Sequence, residues 1–305
     1  MKILIDADYI VYKSCAAAES EVDFGNDVIL VTSNFTDAYN AAKREITRIE
    51  QKLGDFSTTI LFFSDSVNFR KQIFPSYKGH RNRKKPCGYK RIINALGKEY
   101  KVIKKPLLEG DDALGIYATK FPGNIIVSPD KDMKQIPGQL YNFDDVFTIT
   151  AEEGAKWHLL QTMAGDNTDG YAGVPTIGIK RAEKIFAEKG YTWKAVVETF
   201  EEKGMTEDDA LINARLARIL TADDYDFQRK EPKLGPPPPI TKLTTEQDLK
   251  MRLIADKLSK DSVRKEDIIT VFLALQKQNF ILSNSLMNVV ESWPKEPHAM
   301  FGILI

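Results

Sequence analysis

The carboxylates are the residues of this 305-residue chain whose types and spacing invite chemistry. Asp6 closes the apolar run Ile3-Leu-Ile, and Asp65 comes just after the apolar stretch 59–63. Glu109-Gly-Asp-Asp112 opens a helical stretch whose next residues, Ala113, Leu114, Ile116 and Tyr117, are mostly apolar. Asp130 and Asp132 follow Ile125-Ile-Val127 in Ser-Pro-Asp-Lys-Asp, and Asp166 and Asp169 stand three apart in Gly165-Asp-Asn-Thr-Asp-Gly170. That spacing suits one helical face or one turn.

Each group alone has a plain alternative. An Asp after a strand is usually a helix cap or a turn former. Glu109 and Asp112 would complement a helix dipole, and Asp166 with Asp169 would suit a surface turn. The sum is harder to explain that way. Two carboxylates 4 Å apart repel by about 4 kcal/mol at an effective dielectric near 20, so nine on one rim call for divalent cations. The donors are all oxygen: His80, His158 and His298 are scattered, and Cys15 and Cys87 lack ligand spacing. Such a set selects Mg²⁺, with Mn²⁺ able to substitute, over zinc. Two ions roughly 3.5–4 Å apart would activate a water on one side and stabilise a leaving oxygen on the other.

Net charge is zero, with 43 basic and 43 acidic residues, which at first speaks against a nucleic-acid partner. The distribution reverses that. Residues 78–105 carry eleven Lys or Arg against one acid, Glu99; residues 109–169 carry eleven Asp or Glu against four Lys. Adjacent blocks of opposite sign cancel in the total and keep strong local fields. Read blandly, either block alone is a solvated face.

The elements that must position these groups are legible from periodicity. Residues 2–5, 59–63, 100–103 and 124–127 are short strand candidates. Between the first two, Tyr39, Ala42, Ile46, Ile49 and Leu53 fall at spacings of three and four, one apolar face of a helix over 36–53. Strands alternating with helices predict an α/β fold with a mostly parallel central sheet, whose ligands sit outside the carboxyl ends of the strands. A hairpin turning at Asp144-Asp145 joins 140–143 to 146–149. A helix over 152–163 follows, then a Gly-rich turn and two or three helices to about 220. Gly235-Pro-Pro-Pro-Pro239 cannot continue a helix. The expected organisation is a core over 1–150, a helical subdomain over 151–234, a proline linker at 235–240 and a helical extension over 241–305. No apolar run reaches membrane-spanning length, and no leader is expected before residue 1. Two cysteines suit a reducing compartment; a cytoplasmic protein is expected.

These motifs resemble the 5′-nuclease (flap endonuclease-like) superfamily. Ile3-Leu-Ile-Asp6 looks like its first-strand aspartate motif. Phe63-Ser-Asp65, Asn68-Phe-Arg70 and Tyr77-Lys-Gly-His-Arg81 look like its Asp, Phe-Arg and Tyr-Lys-x-x-Arg stretch. Glu109-Gly-Asp-Asp112, Asp130-Lys-Asp132 and Gly165-Asp-x-x-Asp169 resemble the remaining acidic motifs, and Gly173-Val-Pro-Thr-Ile-Gly178-Ile-Lys-Arg-Ala182 its helix–three-turn–helix. Within the superfamily, Lys85-Pro-Cys-Gly-Tyr89, Pro106-Leu-Leu-Glu109 and Trp157-His-Leu159 bring the chain nearest to the 5′–3′ exonucleases of short-tailed phages. The likeness covers about residues 1–234. Gly110 departs from it, where Ala is usual.

The resemblance implies a PIN-like fold, with a basic helical arch at about 70–105. It implies that Asp6, Asp65, Glu109 and Asp111 hold one metal region, and that Asp112, Asp130, Asp132, Asp166 and Asp169 hold or support a second, with Asp8 in support. Lys78 and Arg81 would steady the scissile phosphate. Arg70, Tyr77, Arg83, Lys84 and Lys85 would contact DNA from the arch side, and Gly173, Thr176, Gly178, Lys180 and Arg181 would hold the duplex backbone, with a K⁺ ion there. The implied activity is a Mg²⁺-dependent 5′–3′ exonuclease using two ions in phage DNA replication or recombination, extending to flap cutting and to RNA-primer removal from RNA–DNA hybrids. Its DNA would be a duplex with a 5′ end, a flap or a single-stranded 5′ tail, and residues 241–305 are candidates to bind a replication protein. The alternative is a non-catalytic, structure-specific DNA-binding protein that keeps the fold.

Overall fold

Ile3, Leu4 and Ile5 have no solvent exposure, because strand β1 (Ile3–Asp6) runs through the middle of the sheet with apolar side chains on both faces. The computed structural model describes residues 1–80 and 84–233. After β1 come helix α1 (Ala7–Ala17), a hairpin of β2 (Glu19–Asp23) and β3 (Ile29–Ser33), and the long helix α2 (Phe35–Leu53). Strand β4 (Thr59–Phe63), the single turn α3 (Arg70–Ile73), α4 (Tyr89–Leu96), β5 (Lys101–Lys104), α5 (Gly110–Lys120) and β6 (Ile125–Val127) follow. An antiparallel pair, β7 (Gly138–Tyr141) and β8 (Val146–Ile149), completes the sheet; α6 (Ala151–Ala164), α7 (Ile179–Lys189), α8 (Trp193–Glu201) and α9 (Glu207–Ala217) complete the helices described.

The sheet order is β5-β4-β1-β6-β7-β8, parallel up to β7, so the expected α/β architecture with a mostly parallel sheet is the one observed. Side chains alternate across it. Ile3, Ile5, Leu61, Phe63, Ile125 and Val127 face α1, α2 and α4. Leu4, Ile60, Phe62 and Ile126 face α5 with Ala113, Leu114 and Ala118. Helix α2 presents Ala38, Ala42, Ile46 and Ile49 to the first of these layers, and Asn34 caps it by accepting the Asp37 N–H at 3.2 Å. The helices α6 to α9 bury a separate apolar centre around Met163, Phe186, Val196 and Phe200.

Two differences from the sequence reading have local causes. The strand before the second hairpin ends at Tyr141 rather than 143: the Asn142 side chain accepts the N–H groups of Asp144 and Asp145, and Phe143 turns left-handed at φ 80°. The β2–β3 hairpin was not anticipated, because it stands clear of the core and exposes Val22, Phe24 and Ile29, so it carries no burial pattern. Within the stretch expected to form an arch, α4 packs on the body while Lys84 and Lys85 are exposed. Tyr89, Ile92 and Leu96 of α4 belong to the apolar layer under β1, and Tyr77 is buried. Arg81 and Arg83, the proline linker at 235–240 and the extension over 241–305 lie outside the described residues.

Gly165 and Gly173 cross face to face between α6 and α7. Both are left-handed, at φ 68° and 61°, and a Cβ on either would stand 2.3 Å from backbone of the other segment. Gly165→Ala and Gly173→Ala are each expected to lower unfolding free energy by more than about 2 kcal/mol, read as a shift in the urea midpoint.

His158 in α6 meets the Ala214 carbonyl of α9 at 2.9 Å, and burial pushes its pKa down to about 4. The folded state therefore keeps it neutral, while the unfolded chain takes up a proton near its usual 6.5. The stability this gives is complete above about pH 6.5 and is lost as pH falls toward 4, up to about 3 kcal/mol. The stability difference between the native protein and His158→Gln, by urea unfolding, should shrink across that window; a difference constant from pH 7.5 to 4.5 would refute the assignment.

Candidate active site

With β4 on one side of β1 and β6 on the other, the chain leaves β1 in both directions, which opens a crevice at the carboxyl ends of the strands. Asp6 is the last residue of β1. Ser128, fully buried just after β6, donates its hydroxyl to Asp6 Oδ2 at 3.0 Å and accepts the Asp130 N–H at 3.1 Å. One serine thus fixes two acids from different strands. Asp111 enters from the first turn of α5, and Glu109 caps that helix.

The electrostatics record how closely these groups meet. Burial pushes the Asp6 carboxyl up to about 7, with Asp8 and Asp130 adding to it. Burial, then Asp6, Asp130 and Glu109, hold Asp111 well above the usual carboxylate range. Asp130 is raised by burial and by Asp169, and Asp132 reaches about 7 through burial and Asp130. Glu109 goes the other way: burial would raise it, but Lys78 and Arg70 hold it at about 2. Lys78 Nζ lies 2.5 Å from Glu109 Oε1 and 3.4 Å from Asp169 Oδ2. The Tyr77 hydroxyl sits between the same two acids, 3.1 Å from Glu109 and 2.8 Å from Asp169. Asp166 is held down by Lys131 at 3.1 Å against the upward push of burial.

Asp6, Glu109, Asp111, Asp130, Asp132, Asp166 and Asp169 therefore converge on one rim. Among the described residues no three acidic, His or Cys side chains already stand as a finished ion-binding group. What fits divalent cations is the chemistry of the donors: oxygen ligands, buried and mutually repelling, with Lys78 and Lys131 offsetting Asp111 and Asp130 only in part. Asp65 stands apart from this coupled set. Its oxygens are taken by Lys104 at 3.2 Å and by the Leu107 N–H at 3.1 Å.

Four expectations need correction. Asp112 is fully buried and both its oxygens bind the Arg70 guanidinium, at 2.7 and 2.8 Å, so it is a structural partner and not a metal ligand. Arg70, 1% exposed, is spent on Asp112 and on the Leu216 and Arg218 carbonyls and cannot contact DNA. Tyr77, also 1% exposed, orients carboxylates and presents no surface to DNA. The Gly173 N–H, expected to face a phosphate, is buried and given to Asn213 Oδ1 at 3.0 Å. Thr176, Gly178, Lys180 and Arg181 are exposed, and Gly178 opens α7 with no side-chain cap. Lys84 is exposed, and Lys85 lies over the Tyr89 ring, 3.7 Å from Asp8.

Sequence reasoning passed over Ser128, Lys131 and Gln161 as site residues. Gln161 donates to Asp132 Oδ1 at 2.5 Å, and the Tyr89 hydroxyl bonds Asp8, which in turn accepts the Ser64 N–H at 2.7 Å. Ser128 and Lys131 stand inside the Ser-Pro-Asp-Lys-Asp motif, so proximity to the acids was a signal. Gln161 comes from a distant helix and gave none.

Together the fold and rim define an α/β nuclease of the flap-nuclease type, with its acids gathered where the parallel strands end. Residues 1–158 match the family described as 5′-3′ exonuclease, N-terminal resolvase-like domain. The exodeoxyribonuclease of Enterobacteria phage T3 is 30% identical over 279 residues, covering 77% of this chain and 92% of that protein. The exonuclease of Escherichia phage T7 is 30% identical over 273 residues, with 75% and 91% covered. The chain belongs to the 5′–3′ exonuclease family and is a nuclease. In fold it is similar to a bacteriophage T5 flap endonuclease solved as a pseudo-enzyme–product complex with DNA and metal ions: TM-score 0.52, 16% identity, 71% of this chain and 88% of the other. No helix of the described residues is long and apolar enough to cross a membrane.

Arg70→Leu leaves Asp112 charged and buried, and is expected to cost about 3–5 kcal/mol of stability. Arg70→Leu with Asp112→Leu should recover more than half of that loss, measured as a double-mutant cycle in urea. Equal losses in the single and double variants would mean that the pair is not what holds this region.

Proposed function

We propose that this nuclease is a Mg²⁺-dependent 5′–3′ exonuclease on DNA, with two ions held at the rim and Mn²⁺ able to replace them. The observation that carries the reading is the net repulsion among Asp6, Asp111, Asp130 and Asp132, each raised by burial and by its neighbours although Lys78 and Lys131 offset part of it. Such a group gains from divalent cations what no side chain supplies. The couplings fall into two sets that share Asp130: Asp6, Asp111 and Glu109 on one side, Asp132, Asp166 and Asp169 on the other. We assign one ion to each set, with Asp65 at the edge of the first. Bound there, the ions supply an activated water and charge stabilisation for the leaving oxygen.

The protein's own part is positional. Ser128 aims Asp6 and Asp130, Tyr77 aims Glu109 and Asp169, and Gln161 aims Asp132. Lys78, paired with Glu109 and Asp169, becomes available to a scissile phosphate once cations neutralise those acids, and it stabilises charge on the nonbridging oxygens. Arg81 is assigned the same task. The uncapped start of α7, with Thr176, Gly178, Lys180 and Arg181 exposed, suits a duplex phosphate; a K⁺ ion there belongs to the same reading. Lys84, Lys85 and Arg83 supply sequence-independent attraction to the 5′ strand. The T5 flap endonuclease, whose complex holds DNA and metal ions, shares the fold that sets this layout. Flap cutting and removal of RNA from RNA–DNA hybrids use the same rim, and residues 241–305 are assigned to a replication partner.

Asp130→Ala is expected to lower Mg²⁺-dependent hydrolysis at least about a thousandfold while DNA binding persists, since the phosphate contacts lie elsewhere. The assay is digestion of 5′- and 3′-labelled duplex, flap and RNA–DNA hybrid; full activity in the variant would overturn the assignment. Mg²⁺ at about 100 times its dissociation constant should add about 2.7 kcal/mol of stability. That gain should be visible as a rise in Tm that Asp6→Ala reduces, and a Tm indifferent to Mg²⁺ would count against the ion sites.

A further inference from the structure

Strand β5 closes one side of the sheet. It pairs with β4 along one edge and with nothing among the described residues along the other. An edge of this kind offers a row of unused N–H and C=O groups. Beside it lies a cavity of about 420 Å³, floored by Ile103, Ile116 and Tyr117 and walled by Phe121, Tyr225 and Phe227. That size falls in the range of ligand-binding clefts.

Three features separate this place from an ordinary blunted edge, where lysines serve only to keep other strands away. Lys101, Lys104, Lys105 and Lys120 line the cavity, and among the described residues Lys101, Lys105 and Lys120 have no carboxylate partner. The Tyr225 side chain is 2% exposed, yet its hydroxyl has no hydrogen-bond partner, an unmet polar group in the cavity wall. Phe121 and Phe227 are 45% and 42% exposed, with the Lys120 ammonium 3.3 Å from the Phe227 ring centre. Among the described residues an apolar floor, three lysines without carboxylate partners, an unsatisfied hydroxyl and an unpaired strand edge stand side by side.

We propose that the outer edge of β5 and this cavity form a docking site for an acidic, extended peptide segment of a partner protein, which adds as a further strand of the sheet. Main-chain groups of the peptide pair with β5, apolar side chains at alternate positions enter the cavity, and acidic ones meet the lysines. A nucleic-acid strand would satisfy the lysines and rings but leave the strand edge unused. The edge therefore favours a peptide.

The test uses the full chain in EDTA and a fluorescein-labelled peptide, Glu-Phe-Asp-Ile-Glu-Val, followed by anisotropy. Three competitors are compared: the same composition in block order, the alternating peptide N-methylated at every second amide, and hexathymidylate. The alternating peptide should bind, the N-methylated and block-order peptides should fail to displace it, and Lys120→Glu should weaken it at least about tenfold. Digestion of labelled DNA by Lys120→Glu should be unchanged, since Lys120 lies outside the nuclease site. Phe227→Ala gives a second reading should Lys120→Glu fail to fold, judged by thermal melting. Equal displacement by the N-methylated or block-order peptide, displacement by hexathymidylate, or indifference to both variants would overturn the proposal. None of these outcomes bears on the metal reading, which EDTA sets aside.

Discussion

The structure turns on one buried ion pair. The Arg70 guanidinium meets both oxygens of Asp112 with neither side chain exposed, and then reaches on to the Leu216 and Arg218 carbonyls. Asp112 accepts the Glu109 and Leu220 N–H groups as well. Three segments are tied there: α3, the cap of α5, and the chain from the last turn of α9 to Leu220. Burying two charges costs several kcal/mol each unless every lone pair and proton is used, and here nearly all are. The pair fixes how the helices after β8 sit over the sheet, and so where Asp166 and Asp169 fall relative to Asp6 and Asp111.

On that frame the rim holds a standing conflict. Acids drawn from β1, α5, the turn after β6 and the turn after α6 are closer than their charges favour, and the protein answers with neighbours that orient them. Ser128 and Tyr77 each bridge two acids that lie far apart in sequence. Among the described residues lysines pair directly with Glu109, Asp169 and Asp166, and Lys78 and Lys131 offset Asp111, Asp130 and Asp132 only in part. Burial and repulsion hold the remaining acids in a state that protons or cations must relieve, a cost the fold sustains through packing elsewhere.

Much of this was legible in the sequence, for a reason that also marks the limit. Short apolar runs ending in Asp place a carboxylate at the end of a parallel strand, and the α/β topology carries that end to the ligand-binding side. Asp6, Asp130 and the strands beneath them followed from pattern alone. Asp112 and Arg70 did not, because an acid in Glu-Gly-Asp-Asp reads the same whether it faces a cation in solution or a guanidinium in the core. Only the return of the 216–220 segment, more than a hundred residues later, decides which. The hairpin of β2 and β3 escaped for the opposite reason. Its turn carries three left-handed residues, Gly25, Asn26 and Asp27, but it buries nothing, so periodicity had no face to register.

Lys78 shows how backbone geometry joins these parts. It is left-handed at φ 53°, and its N–H donates to the Asp169 carbonyl at 2.8 Å while its ammonium reaches the Asp169 carboxylate. Main chain and side chain of one lysine thus hold a single acid from two directions. Asp169 belongs to a tight turn closed by Asp166, whose N–H and carbonyl pair with Tyr171, and Gly173 just beyond packs on Gly165 at the end of α6. Nine residues, 165 to 173, therefore connect the acidic rim to the start of the segment leading into α7, with little freedom between them. A phosphate gripped at the start of α7 would be indexed against Lys78 through this one turn, which makes the separation of grip and cut a property of backbone packing and not of any flexible side chain.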